Sequence, residues 1–114
     1  MKLKEAIRQA DALRANALPD EIKAGWVYEL EGKLADLRGA PPPVRSWPSD
    51  LPLIMPPPAD NVYVTYLCAM IDYANEETGL YANDMTLFNA AWAEAAAWWR
   101  RKHRPPDAGG IMTV

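Results

Sequence analysis

Few residues in this chain of 114 are of a type that could do chemistry, and they are scattered. The one cysteine, Cys68, and the one histidine, His103, could form a thiolate–imidazole pair, in which the imidazole takes the proton from sulfur and arms it as a nucleophile. Cys68 lies in an apolar run, however, where a thiol behaves as a small, inert, buried hydrophobe, and His103 stands among cations. The only serines, Ser46 and Ser49, fall in a proline-rich stretch with no base beside them. Asp72, Glu76 and Asp84 could share a hard cation through their oxygens, since Asp72 and Glu76 are one helical turn apart. With no histidine or thiolate nearby, they are expected to form a solvated acidic face instead. The glycines are dispersed, and the one pair, Gly109 and Gly110, does not stand between a strand and a helix, so no phosphate-cradling loop is formed. The expectation is a protein that is no enzyme and takes no metal or other cofactor.

The elements that would position these residues are helices. Leu3, Ala6, Ile7, Ala10 and Leu13 follow the three-and-four spacing of an amphipathic helix. Pro19 followed by Asp20 and Glu21 marks the start of a second helix, with the acids at its positive end. Its apolar stripe is read as Ile22, Trp26, Leu30, Leu34 and Leu37, closing near Arg38 with Gly39 as the cap. Eight of the eleven prolines then fall in residues 41–58, where fixed φ and missing donors leave an extended strap. Trp47, Leu51, Leu53, Ile54 and Met55 predict that this strap lies across the helices. Asp60 is the expected N-cap of a third helix bearing Tyr63, Tyr66, Leu67, Met70, Ile71 and Ala74. The stripe continues through Tyr81, Met85, Phe88, Trp92, Ala96 and Trp99, which fits one long helix or a hairpin. Compactness favours a bend between Glu76 and Ala82, with Gly79 as the only breaker. The fold class expected is therefore all-α, a single domain over residues 1–114 of about four helices, with a tail at 105–114 expected to be flexible.

Net charge is −3, but it is unevenly placed: residues 46–99 hold seven acids and no lysine or arginine. Arg100, Arg101, Lys102 and Arg104 follow at once, where they complement the negative end of a helix or form a docking patch. Trp98 and Trp99 beside these cations could stack on nucleic-acid bases, yet the acidic segment would repel a phosphate backbone. Eight of the eleven aromatics lie in the C-terminal half, more than one stripe needs. Tyr63 and Trp98 fall off the main stripe and are candidates for either the core or a protein interface. The longest apolar stretch, residues 90–99, includes Glu94 and falls short of the roughly 20 residues that span a bilayer. A single cysteine and no recognisable export leader make a reducing cytoplasm the expected compartment.

Two segments, residues 3–34 and 66–105, resemble small helical head–tail connector proteins of tailed bacteriophages and prophages. The most distinctive part is Ile71-Asp72 with Asn75 and Glu76, followed by Tyr81, Asn83, Asp84 and Met85, then Phe88-Asn89. The proline-rich strap departs from that pattern. The resemblance implies a neck adaptor without catalytic residues: a homo-oligomeric ring, commonly of about twelve copies, that docks on the portal protein and receives the next neck or tail protein. Such a subunit is often monomeric before assembly, acts in the host cytoplasm and then the virion neck, and lets DNA pass without specific binding. Within that reading, Arg100, Arg101, Lys102, Arg104, Ile111, Met112, Val114, Tyr63 and Trp98 are expected to bind protein partners. Asp72, Glu76, Glu77 and Asp84 are expected to line the channel with negative charge. The alternative is a bacterial helical adaptor or antitoxin-like regulatory module binding one protein partner.

Overall fold

The computed structural model describes residues 1–103, which form four helices: α1 (Leu3–Leu13), α2 (Asp20–Leu37), α3 (Asn61–Ala74) and α4 (Thr78–Lys102). The architecture is all-α, with one isolated antiparallel bridge between Lys2 and Pro52. Among the described residues no helix is long and apolar enough to cross a membrane. Arg104 and the tail expectation at 105–114, including Ile111, Met112 and Val114, lie outside the described residues.

Helix α3 is the centre. Val62, Tyr63, Tyr66, Leu67, Ala69 and Ile71 are all buried, because α3 packs against each of the other three helices, most extensively along α4. A helix apolar around most of its circumference has to be covered that way. Each of its large side chains removed from water contributes about 1.5–3 kcal/mol. Helix α1 buries Leu3, Ala6, Ile7 and Ala10 as its spacing predicts, while Leu13 is left exposed.

Helix α2 keeps Leu30 and Leu34 of its expected stripe inside, but its inner face is shifted away from Ile22 and takes in two charged residues. Ile22 is exposed and Trp26 and Leu37 are half-buried, whereas Lys23, Ala24, Val27, Leu30, Glu31, Leu34 and Ala35 are buried. The reason is that both charges on the inner face are satisfied. Lys23 Nζ donates to Asp11 at 2.7 Å and to Asn16 Oδ1 at 3.2 Å, and Asp20 stands at 3.2 Å. Glu31 is partnered by the strap, as described below.

Both inner helix ends close with the same paired hydrogen bonds. After α2, the Gly39 N–H donates to Asp36 O and the Ala40 N–H to Ala35 O, with Gly39 at φ 68°. After α3, the Glu76 N–H donates to Tyr73 O and the Glu77 N–H to Asp72 O, with Glu76 at φ 60°. This is the Schellman arrangement, which needs a left-handed residue and usually finds it in glycine. The bend between α3 and α4 therefore falls at residues 75–77, at the start of the expected window, and turns on a glutamate. Gly79 lies inside α4. Asp60 occupies the N-cap position of α3 but makes no side-chain capping bond.

The strap does lie on the helices. Leu53 and Met55 are buried, Trp47 and Ile54 pack on the core, and the Leu53 N–H donates to Met1 O at 3.0 Å. Asp50 Oδ1 accepts the Lys4 N–H at 2.9 Å, supplying α1 with a cap that its own N-cap residue, Lys2, does not. Further along, Glu31 accepts from Arg45 Nη2 at 2.8 Å and from the Ile54 N–H at 3.1 Å. The Tyr63 hydroxyl donates to Glu31 at 2.8 Å and accepts from the Met55 N–H at 2.8 Å. One carboxylate on α2 thus fastens the strap and the start of α3 together.

Candidate interaction surfaces

Around the α3–α4 bend the acids are of two kinds, with Asp72 and Asp84 buried and Glu76 and Glu77 exposed. Arg14, at the C-terminal cap of α1, reaches both buried acids. Its Nε donates to Asp72 at 2.8 Å and its Nη2 to Asp84 at 2.8 Å. Asp72 and Asp84 are 3% and 2% exposed, so neither can line a channel or form a solvated face, contrary to expectation. The cation that the segment itself lacks comes from 58 and 70 residues away. Asn75 adds a bond from its Nδ2 to Ala15 O, tying the end of α3 to the chain leaving α1.

One guanidinium facing two buried carboxylates leaves the site with surplus negative charge. The hydrogen bonds to Asp72 and then Asp84 raise the Arg14 pKa further above its already high value. Burial, and after it the neighbouring Asp72 carboxyl, raises the Asp84 pKa above the usual carboxylate range, and Arg14 only partly offsets this. Asp84 Oδ2 is buried without a hydrogen-bond partner. A neutral Asp84 relieves the charge imbalance.

Glu76 and Glu77 are exposed, as their expected role requires. They border an open cleft of about 650 Å³ shared with Tyr73, Thr78 and Tyr81. Tyr73 is 62% exposed, and its ring lies 5.4 Å from that of Tyr81. Among the described residues neither glutamate has an ion-pair partner.

At the far end of α4, Arg100, Arg101 and Lys102 are exposed in the last turn. Trp98 is half-buried against the core and borders a groove of about 270 Å³ with Pro58, Glu94 and Arg101, so it serves both interior and surface. Tyr63 does not. It is fully buried, and burial followed by the charge of Glu31 raises its pKa, which keeps the hydroxyl protonated as a donor. It is a core residue, unavailable to a partner.

Cys68 is buried and free, and burial raises its thiol pKa, leaving little nucleophilic thiolate. His103 is exposed and stacks on Trp99 at 3.4 Å, with Nδ1 3.0 Å from Trp99 O. Among the described residues no group of three or more histidine, cysteine or acidic side chains is placed to hold a metal ion.

Sequence reasoning did not single out Arg14, Lys23, Glu31 or Asp50 as structural anchors. Their partners lie on other elements, so no local spacing reveals them. It also passed over Leu80 and Leu87, which α4 leaves exposed, although their seven-residue separation was visible. Leu87 and Leu13 flank a shallow hollow of about 120 Å³ with Val64, Thr65 and Cys68.

Comparison of the chain with models of protein families, with curated proteins and with solved structures gives no match.

Proposed function

We propose that the chain is a non-enzymatic head–tail connector subunit that docks as a ring on a phage portal and extends the DNA channel toward the next neck or tail protein. The observation that carries this reading is the separation of exposed charge by α4: Glu76 and Glu77 stand just before its first residue and Arg100, Arg101 and Lys102 in its last turn, with a helix of 25 residues between them. A subunit that meets a neighbour on each side of a ring needs two unlike surfaces held at a fixed separation, and a single long helix provides them. The resemblance of residues 3–34 and 66–105 to connector proteins adds to it. Of the acids proposed to face DNA, Glu76 and Glu77 remain.

The test is negative-stain electron microscopy of the cognate portal ring with and without this protein, alongside light scattering of the protein alone. A monomer that adds a symmetric layer to the portal is the expected result, and the layer gives the copy number. Folded protein that adds no density overturns the reading. A one-to-one complex with a soluble host protein would point instead to the regulatory adaptor. Deleting residues 107–114 is expected to abolish portal binding while circular dichroism stays helical, because the apolar end Ile111 to Val114 is the proposed docking segment.

A further inference from the structure

We propose that the cleft at the α3–α4 bend receives the basic end of α4 from a second copy of this chain, with Glu76, Glu77 and the Tyr73–Tyr81 pair holding Arg100, Arg101 and Lys102. The inference rests on the ring reading above and deepens it by naming the contact between neighbouring subunits, and it gives Glu76 and Glu77 to that contact in place of the channel wall.

The cleft has the chemistry of a guanidinium site. Glu76 and Glu77 can each accept paired N–H bonds from arginine, and the exposed face of Tyr73 beside Tyr81 offers a π surface for a cation to lie on. Among the described residues no cation of the same subunit pairs with Glu76 or Glu77. Arg14, whose partner Asp72 also borders the cleft, is already engaged by Asp72 and Asp84. Nor do helix dipoles account for the acids. Glu76 and Glu77 sit where the negative end of α3 meets the positive end of α4, so the two effects oppose each other. The surplus negative charge is left for something outside the subunit.

The complementary surface is on the same molecule but out of reach. Helix α4 runs 25 residues from Thr78 to Lys102, which at helical rise is about 37 Å. Its basic end therefore cannot fold onto its own acidic beginning, and the match can be made only between copies. Such a contact is head-to-tail: each copy gives one end and receives another, the arrangement that closes into a ring when the rotation allows. Exposed ion pairs are individually weak and are screened by salt. That fits a subunit that assembles only where a template aligns it.

Zero-length carbodiimide coupling tests this on the chain alone. At high protein concentration and low salt, an amide between Lys102 and Glu76 or Glu77 is expected in the mass spectrum, and 0.5 M salt should suppress it on the order of tenfold. The helix length makes such a product intermolecular. Mixing nitrogen-15-labelled with unlabelled protein verifies this. Two charge-reversed chains, E76K/E77K and R101E/K102E, should each lose the covalent dimer alone and recover it when mixed, because each then supplies the surface that the other has inverted. Circular dichroism establishes that both remain folded. Absence of the Lys102 product in the wild-type chain, or no recovery on mixing, overturns the inference. The two readings fail separately. If the portal gains no layer while the coupling forms, the connector reading falls and the self-contact stands. If the E76K/E77K chain builds the portal layer as the wild type does, the contact proposed here falls and the connector reading stands.

Discussion

Arg14 is one cation shared by two carboxylates that water barely reaches, and its removal leaves both without a counter-charge. Breaking a buried pair by deleting one partner typically costs about 3–5 kcal/mol. Arg14 is itself 28% exposed, so Arg14→Ala is expected near the lower end of that range, read as a shift in the urea midpoint. The pH response should come from Asp84. Its folded pKa lies above the unfolded value because burial and Asp72 favour the neutral form. Its stabilising contribution is therefore complete below the ordinary carboxylate range and is lost as pH rises through the raised value. Asp84→Asn keeps the shape and stays neutral at every pH. The stability of this variant relative to wild type should rise as the pH goes from about 4 to about 8, measured by urea unfolding at each step. A difference that stays flat with pH would sink the assignment. The two aspartates were visible in the sequence as acids, but their burial was not, because the only residue that makes burial tolerable belongs to α1.

Among the elements, the strap and the two helix ends are the informative cases. Glu31→Ala strips the Tyr63 hydroxyl, the Ile54 N–H and Arg45 of their common acceptor, and a loss of about 3 kcal/mol or more is expected. Trypsin should then cleave after Arg45 faster than in the wild type, since that side chain is no longer held. At the helix ends, Gly39→Ala is expected to cost about 1 kcal/mol, because the left-handed backbone penalises a Cβ even though nothing else crowds it. Glu76→Gly should move thermal stability the other way by a similar amount, as the same conformation is relieved. The sequence announced α1, the start of α2 and its glycine cap because each rests on local spacing or backbone preference. It also showed that the strap would dock, from its density of apolar side chains. It found Leu30 and Leu34 on the inner face of α2 but left out Lys23 and Glu31 beside them, because hydrophobic periodicity cannot see charges that distant groups neutralise. It pointed to Gly79 for the bend because the residue that takes the left-handed conformation there is a glutamate. Tyr63 was open to both readings for a similar reason: the buried carboxylate that receives its hydroxyl is 32 residues away.

At the scale of the whole molecule, charge separation matters more than net charge. A total of −3 describes a mildly acidic protein, yet the exposed glutamates at the bend before α4 and the exposed cations in its last turn have opposite signs and behave as a long dipole. Self-association is therefore expected to weaken with salt, whereas loss of net repulsion alone would make it strengthen. Sedimentation across a salt series separates the two. The candidate surface was half legible. The acidic and basic runs and the surplus of aromatics were plain in the sequence, but which acids reach solvent depended on how α1 packs against the bend.

The strap also gives the molecule a temporal order. Because Asp50 completes the hydrogen bonding at the start of α1, the first helix is finished by a residue 46 positions further along the chain. Amide hydrogen exchange at Lys4 should consequently be governed by release of the strap instead of by fraying of α1, and should speed up together with exchange at Leu53 and Ile54 when Asp50 is replaced by alanine. The N-terminal helix would then behave as one of the last parts of the protein to close and one of the first to open.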